Sequence, residues 1–415
     1  MAGDITSSLA SGALILTGDE LANNLRFESN GVPGEFLVTG LNDAATNMPT
    51  LIDGLASKVF SNVTTLSIQL NGGDDQVLCK NFELQSLGIF GGIGDDQIDI
   101  GEYVPLTTPN PSDNVQTIGS PQNIGQLRID TQDGAAVVRI NYVYGNPHIT
   151  IDHSSFNEST TANASLDLAI YVAFSSSLNI THNTYLNLAA NDYTNTIRTP
   201  NSNDIISVGY VASEGGSNIR SGNGNDLISV YCSSFKPSAG APFGSPSVNF
   251  SGNLGNDYIA LDVNIIYGPT ILNGNEDSDT IQFSRNVGGS GNGLDYVTLT
   301  GGAGDDTILV GKYYGIQAGQ PVLLDSGSKF GARLTINMDA GNDTAIITAN
   351  IIHDFVMGMG FGDDYAFLGS NTIELARIYA DVGAQSGYDR IRLYYNAISE
   401  YQEYGVESST FGPPL

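Results

Sequence analysis

The residues best suited to chemistry are aspartates that end short glycine-rich segments at many places along the chain. In some of these segments two aspartates stand side by side, and in others an asparagine precedes the final aspartate. Carboxylate oxygens are the ligands that a hard cation such as Ca²⁺ prefers in proteins. The pattern therefore predicts calcium ligands among the carboxylates of Asp74, Asp75, Asp95, Asp96, Asp226, Asp257, Asp305, Asp306, Asp343, Asp363 and Asp364.

The spacing of these aspartates supports the prediction. The last aspartate of each segment recurs at 75, 96, 204, 226, 257, 279, 306, 343, 364 and 389. If the segments stack at the spacing of β-strands, about 4.8 Å, equivalent carboxylates repel one another. Either a bound Ca²⁺ or an asparagine in place of an aspartate relieves that repulsion. A purely structural interpretation stays open, because Gly, Asn and Asp are also the residues that tight turns require.

Other candidate motifs do not indicate catalysis. Asp152, His153 and Ser154 are adjacent, so their side chains do not converge on one reacting atom. The histidines lack the spacing of a zinc site, and the glycine-rich segments lack the Lys-Ser/Thr pair of a phosphate loop. We therefore predict no catalytic residue, and no cofactor other than Ca²⁺.

The segments around the glycine-rich turns indicate β-strands. LSIQLNGGDDQVLC at 66–79 and VTLTGGAGDDTILV at 297–310 alternate apolar and polar residues on both sides of the turn. The turns return at intervals of 21 to 37 residues, often in the low twenties with occasional insertions, a period typical of a solenoid. The sequence thus predicts an all-β, single-stranded parallel β-helix (a β-solenoid) with coils of about 21–30 residues. Two insertions, 236–247 and 312–329, are expected to form protruding loops.

Three regions follow from this pattern. Residues 1–60 are predicted to form an N-terminal β-rich cap, because the end of a solenoid exposes unpaired backbone that must be covered. Residues 61–400 are predicted to form the parallel β-helix, and 148–198 continue it without the Gly-Asp turn. Residues 401–415 form a C-terminal tail that ends without a pattern. We expect almost no helix, because β-branched alternation is common and runs of helix-forming residues are scarce.

Two segments resemble a known family. Gly91-Gly92-Ile93-Gly94-Asp95-Asp96-Gln97-Ile98 and the segment from Gly301 to Ile308 are similar to the calcium-binding nonapeptide of repeats-in-toxin proteins. The copies here lie 21 or more residues apart instead of nine. The chain therefore looks more like the calcium-turn β-solenoids of bacterial surface proteins and adhesins. The resemblance implies Ca²⁺ held between stacked turns.

Composition excludes several kinds of partner. Lys and Arg number 15 against 44 Asp and Glu, a formal net charge of -29. Binding to nucleic-acid backbones or to anionic membrane surfaces needs clustered cations, so neither is expected. No apolar run approaches 18 residues, so membrane insertion is not expected either.

These observations predict an extracellular or cell-surface structural or adhesive protein that is not an enzyme. A low-charge exterior rich in Asn, Thr and Ser favours packing against identical copies, as a homo-oligomer or as a polymer such as a fibre or surface layer. A cell-surface glycan is the other expected partner. The alternative is a carbohydrate-active β-helix, either a polysaccharide lyase or a phage-spike-like glycan hydrolase.

Overall fold

The computed structural model describes residues 2–43, 46–101, 122–131, 135–144, 148–155, 165–175, 177–184, 203, 205–209, 212–213, 217–235, 248–288, 294–311, 314–317, 320–323, 327–379, 388–394, 396–404 and 408–411. All regular secondary structure in these ranges is β-strand, which confirms the predicted all-β class and the predicted lack of helix. Accordingly, these ranges contain no helix with the length and apolarity to cross a membrane.

The chain divides into two compact units, Met1–Ala212 and Ser213–Leu415. The strands of the first unit are β1 Asp4–Ala10, β2 Ala13–Thr17, β3 Asn24–Ser29, β4 Glu35–Gly40, β5 Leu51–Ile52, β6 Ser57–Ser61, β7 Thr65–Gln69, β8 Gln76–Lys80, β9 Glu83–Phe90, β10 Gln97–Ile100, β11 Gln122–Asp130, β12 Ala135–Tyr144, β13 His148–Ser155, β14 Ser165–Ser175, β15 Ser177–Thr184 and β16 Ile205–Gly209. A two-residue strand, β17 Ala212–Ser213, lies at the division.

The second unit contains the remaining strands. They are β18 Ser217–Asn223, β19 Leu227–Tyr231, β20 Ser234–Phe235, β21 Val248–Leu254, β22 Tyr258–Asp262, β23 Ile265–Ile266, β24 Thr270–Glu276, β25 Thr280–Ser284, β26 Val287–Gly288, β27 Leu294–Ala303, β28 Thr307–Gly311, β29 Tyr314–Gln317, β30 Gln320–Leu323, β31 Lys329–Ala340, β32 Thr344–Thr348, β33 Ile351–Gly358, β34 Tyr365–Gly369, β35 Thr372–Tyr379, β36 Arg390–Tyr394, β37 Ala397–Tyr404 and β38 Ser408–Phe411.

The first unit begins with antiparallel pairs and continues with parallel ones. β1 pairs with β2, β3 with β4, and β4 with β6, all antiparallel. Parallel pairing then links β2, β7, β9, β11, β13 and β15 in that order. A second parallel series links β3, β8, β10, β12, β14 and β16. Strands that follow a turn thus pair with strands that follow the next turn.

The second unit repeats this arrangement with longer series. Eight parallel strands pair in the order β18, β21, β24, β27, β31, β33, β35 and β37. Eight more pair in the order β19, β22, β25, β28, β32, β34, β36 and β38. The short strands β20, β23 and β26 form a third series. Each series takes one strand from every sequence repeat.

The core forms because apolar residues one repeat apart stack on one another. The predicted alternation is confirmed; in β7, for example, Leu66 and Ile68 are buried between less buried neighbours. One buried column follows the strand register through Leu272, Leu299, Ile336, Met357 and Ile378. Every side chain in such a column contacts its equivalents above and below, so burial depends on neighbouring repeats.

Phenylalanines fill the widest parts of the core in the second unit. The rings of Phe283 and Phe330 lie 5.7 Å apart between centroids, and those of Phe235 and Phe250 lie 6.4 Å apart edge to face. All four side chains are fully buried. Buried aromatic pairs add about 0.5–1.5 kcal/mol beyond the burial of their area.

Of the two insertions predicted to be protruding loops, the structure describes part of one and none of the other. Within 312–329, β29 and β30 form an antiparallel hairpin, so this segment contains strands of its own. The segment 236–247 lies outside the described residues, as do the side chains of 148–198. The strands β13, β14 and β15 in that region pair in parallel, consistent with a continuation of the repeats.

Candidate functional site

The predicted calcium ligands lie in seven of eight five-residue turns, which we call the Gly-Asp turns. They occupy 71–75, 92–96, 222–226, 253–257, 275–279, 302–306, 339–343 and 360–364, and the first and third residues of each have positive φ. In the last turn these are Gly360 at 82° and Gly362 at 136°. A Cβ on Gly362 would lie 1.7 Å from the carbonyl oxygen of Gly341 in the preceding turn. The glycines are therefore required both for the backbone conformation and for close stacking.

The fifth residue of each turn forms a continuous column within its unit, the Asp column. It comprises Asp75 and Asp96 in the first unit and Asp226, Asp257, Asp279, Asp306, Asp343 and Asp364 in the second, and Asp389, which follows the last of the eight turns, continues it; all of them are buried. After the first member in each unit, the Oδ1 atom of each accepts a hydrogen bond from the backbone N–H of the preceding residue in the column; Asp306 N donates to Asp343 Oδ1 at 2.7 Å. The same bond joins Asp75 to Asp96 and Asp343 to Asp364, the pairs that lie 21 residues apart.

The second carboxylate oxygen of the Asp column lies in a different environment. The Oδ2 atoms of Asp75, Asp96, Asp279, Asp306 and Asp343 are among those that are buried and accept no hydrogen bond from protein groups. Desolvation raises the pKa of these carboxyls, to about 9 for Asp75, 8 for Asp96 and Asp343, 7 for Asp279 and 6 for Asp306. A buried carboxylate of this kind is stabilised by a proton or by a cation.

The fourth residue of each turn forms a second, exposed column, which we call the outer column. Asp74, Asp95, Asp305 and Asp363 belong to it, and in other turns the position is Asn225, Asn256, Ser278 or Asn342. Here the side chain accepts from the following repeat instead of the preceding one: Asp95 N donates to Asp74 Oδ1 at 3.0 Å, and Asn342 N to Asp305 Oδ1 at 2.8 Å. The two predicted carboxylates of one turn therefore bond in opposite directions.

The fit of a cation to these turns is partial. Carboxylate oxygens without hydrogen-bond donors suit Ca²⁺ in their chemistry, but Ca²⁺ takes six to eight oxygens. Backbone carbonyls of the turns already accept hydrogen bonds, as when Ile93 N donates to Asn71 O at 2.9 Å. Among the described residues, no group of three or more His, Cys, Asp or Glu side chains is arranged to hold a metal ion. The calcium sites stay a prediction.

A third column was missed by the sequence analysis. We call it the Asn column, and in the second unit it comprises Asn264, Asn286, Ser328, Asn350, Asn371 and Asn396. Its residues are buried or half-buried, and the Oδ1 or Oγ atom of each accepts a hydrogen bond from a backbone N–H of the preceding repeat, as from Asn350 N to Asn371 Oδ1 at 2.9 Å.

The spacing of asparagines in the sequence could have identified the Asn column. Asn264, Asn286, Asn350, Asn371 and Asn396 each follow an Asp of the Asp column by seven residues. The residue before each of Asn264, Asn286, Asn350 and Asn371 has positive φ and marks a corner of the repeat. Val263 at 57° and Ala349 at 58° are examples. Neither residue type is typical of positive φ, which is why turn composition alone did not reveal this corner.

No family model, no curated protein and no solved structure matches the chain.

Proposed function

We propose that the chain folds as a single-stranded parallel β-helix with an N-terminal β-rich cap, and that it serves as an extracellular or cell-surface structural or adhesive protein. The observation that carries the proposal is the set of hydrogen-bonded columns that follow the stacking direction of the strands. Each repeat supplies acceptors for the backbone of the one before it, so rigidity accumulates with the number of repeats. A scaffold of this kind suits a spacer, a fibre or a surface layer.

Self-association is the second part of the proposal. Within the described residues, β37 pairs only with β35 and β38 only with β36, so each has one backbone edge that no described strand occupies. Edges of this kind favour strand-to-strand association. Outward positions in the second unit carry small polar residues, for example Thr298, Thr335 and Asn337, which allow close approach of identical surfaces. We therefore propose a homo-oligomer or polymer as the working form.

Calcium is the third part. Two stacked Oδ2 atoms of the Asp column, such as those of Asp75 and Asp96, supply carboxylate oxygens without competing donors. The outer aspartates Asp74 and Asp95 of the same turns are exposed and add negative charge nearby. Bound Ca²⁺ would neutralise buried charge between turns, which is a stabilising role and not a catalytic one.

Microscopy tests the structural role directly. Purified protein is imaged by negative stain and sedimented over a range of protein concentrations, in one series with Ca²⁺ and in the other with EDTA. The Ca²⁺ concentration is about 5 mM, because extracellular calcium sites have dissociation constants of up to about 1 mM. Filaments, sheets or ordered oligomers are expected. A single monomeric species at every concentration, in both conditions, would remove self-assembly from the proposal.

The enzymatic alternative has its own test. Because the net charge of -29 repels polyanions, we expect no turnover of pectate or alginate in the presence of Ca²⁺. Release of unsaturated uronate is followed by its ultraviolet absorbance. Sustained release would make a polysaccharide lyase the better interpretation.

A further inference from the structure

A groove in the second unit is lined by residues of the strands β27, β31, β33, β35 and β37. Its volume is about 1160 Å³, and its polar lining includes Lys329, Arg333, His353, Asp354, Glu374 and Glu400. Five strands at the usual spacing make it about 19 Å long. An extended ligand of several units fits such a groove better than a single small molecule.

An irregularity in one strand opens the groove. β31 has an extra residue between Phe330 and Arg333, where Gly331 and Ala332 stand opposite single residues of both neighbouring strands. A bulge bends its strand and redirects the side chains beside it. Because Gly331 and Ala332 carry at most a methyl group, the floor of the groove between β27 and β33 lacks a large side chain.

Ion pairs hold the polar groups of one wall in place. Arg333 Nε donates to Asp354 Oδ2 at 2.7 Å, and Arg377 Nη2 donates to Asp354 Oδ1. Burial alone would raise the pKa of Asp354, but the hydrogen bonds from Arg377 and Arg333 outweigh it and hold the pKa below its ordinary value. Asp354 therefore stays ionised and fixes the guanidinium of Arg333, which is 43% exposed, in one orientation.

The other groups of the groove are accessible. His353 Nδ1 is hydrogen-bonded to Glu374 Oε2, and both side chains are more than half exposed. The ring of Tyr296 is 53% exposed and Ile351 is 54% exposed. The groove thus combines one open aromatic ring with paired donors and acceptors, which is the composition of sites that bind polar ligands through ring contacts and hydrogen bonds.

The charge of the groove selects the ligand class. Two cations, Lys329 and Arg333, stand against three carboxylates, Asp354, Glu374 and Glu400, in a chain whose net charge is -29. The groove is therefore close to neutral and attracts neither a polyanion nor a polycation strongly. An extended peptide would need a free strand edge, but β31, β33 and β35 are each paired on both sides. The ligand class that these exclusions leave consists of rings that carry hydroxyl groups and have an apolar face.

We propose that this groove binds a neutral oligosaccharide, with Tyr296 stacking on a sugar ring and with Arg333, His353 and Glu374 bonding to hydroxyl groups. The inference deepens the adhesive part of the proposed function and rests on it. Its failure is distinguishable, because filament formation does not require sugar binding and is measured separately.

The test uses the full chain and defined probes. Binding is measured first on an array of neutral and acidic glycans, and then by calorimetry with the best neutral hexasaccharide and with hexagalacturonate. Neutral glycans are expected to bind at least tenfold more tightly than hexagalacturonate. Tyr296→Ala is expected to weaken binding at least tenfold, while Tyr388→Ala, at a tyrosine outside the groove that is 45% exposed against 53% for Tyr296, leaves it unchanged.

A second variant keeps the test decisive. Ala332→Phe places a ring on the floor of the groove and is expected to abolish binding while melting temperature and circular dichroism stay close to those of the native protein. The proposal is overturned if no neutral glycan binds, if hexagalacturonate or an extended decapeptide binds more tightly, or if Tyr296→Ala and Tyr388→Ala have equal effects.

Discussion

The Asp column and the Asn column both accept hydrogen bonds from the backbone of the preceding repeat, but they differ in whether the second polar atom of the side chain is also hydrogen-bonded. In both, a side-chain oxygen accepts a backbone N–H from the preceding repeat, as Asp343 and Asn371 do at 2.7 and 2.9 Å. The asparagine amide then donates as well: Asn371 Nδ2 bonds to Ile347 O at 2.8 Å and to Asn396 Oδ1 at 3.1 Å. The Oδ2 atom of Asp343 accepts no hydrogen bond.

The difference shows that stacking and neutrality are separate requirements. An asparagine satisfies both, because its amide carries no charge and bonds in two directions. A buried aspartate satisfies only the first, so its column is stable when a proton or a cation removes the charge. The Asp column is therefore the part of the molecule expected to respond to solution conditions, and the Asn column is the part expected to be indifferent to them.

The largest expected effect is that of pH. The folded pKa values of Asp75, Asp96, Asp279, Asp306 and Asp343 lie above the ordinary value of 3.8. The folded state therefore holds protons that the unfolded state has lost, and their stabilising contribution is complete below about pH 3.8 and disappears as pH rises through 6 to 9. The free energy of unfolding should fall by about 1.4 kcal/mol per pH unit for each carboxyl that is ionised in the unfolded state and still protonated in the folded state.

Urea denaturation without divalent cations, from pH 5 to pH 9, measures this slope. A flat or rising profile would mean that the Asp column is ionised and stabilised by protein groups.

Replacing an asparagine of the Asn column with an aspartate should have the next largest effect on the free energy of unfolding. Asn371→Asp places a carboxylate against Ile347 O and Asn396 Oδ1, both of which are acceptors. An uncompensated buried charge costs about 3–5 kcal/mol, so the loss of stability should be of that size at pH 8 and smaller at pH 5. Thermal denaturation at the two pH values measures it.

Asn256→Asp is the matched control for that exchange. Asn256 lies in the exposed outer column, where other turns already have aspartate. The free energy of unfolding of the variant should therefore differ from that of the native protein by less than about 0.5 kcal/mol. Equal losses for the two variants would contradict the distinction between the columns.

Calcium should produce a somewhat smaller gain. At pH 8, a hundredfold excess of Ca²⁺ over its Kd stabilises the folded state by about 2.7 kcal/mol, and Mg²⁺ by less, because Mg²⁺ demands a stricter octahedral geometry. The double variant Asp343→Asn, Asp364→Asn should reduce the response. Melting temperatures with EDTA, Ca²⁺ and Mg²⁺ measure it. If all three curves coincide, the aspartates are turn formers only.

The smallest effect should change sign with pH. Asp343→Asn keeps the oxygen that accepts from Asp306 N but replaces Oδ2 with an amide nitrogen. At pH 5 the variant should be about 1 kcal/mol less stable, because the buried amide lacks an acceptor, and at pH 9 about as much more stable, because no charge is buried. Denaturation midpoints at both pH values are compared. A difference of the same sign at both would contradict the assignment.

Much of this architecture could be predicted from residue types. The Gly-Asp turns and the flanking alternation follow from local rules, since positive φ selects Gly, Asn and Asp, and a strand face selects apolar residues at every second position. The stacking of Asp75 on Asp96 followed from equal spacing. These features depend on one residue and its near neighbours.

Other features depend on contacts between repeats and could not be predicted. The Asp column and the outer column bond in opposite directions because of side-chain orientation, which the letters Asp95-Asp96 do not specify. The Asn column begins after residues such as Val263 that local preference would keep from positive φ. The groove follows from one extra residue at Gly331-Ala332, visible only once β31 is paired with its neighbours.

The bond from Asp306 N to Asp343 Oδ1 spans 37 residues, whereas that from Asp343 N to Asp364 Oδ1 spans 21, at nearly the same length. The additional residues include the β29–β30 hairpin, which pairs within itself. Turn geometry, not the length of chain between turns, therefore sets the register. Foreign peptides could be grafted in place of this hairpin without disturbing the strands on either side, which makes the protein a natural platform for displaying inserted sequences.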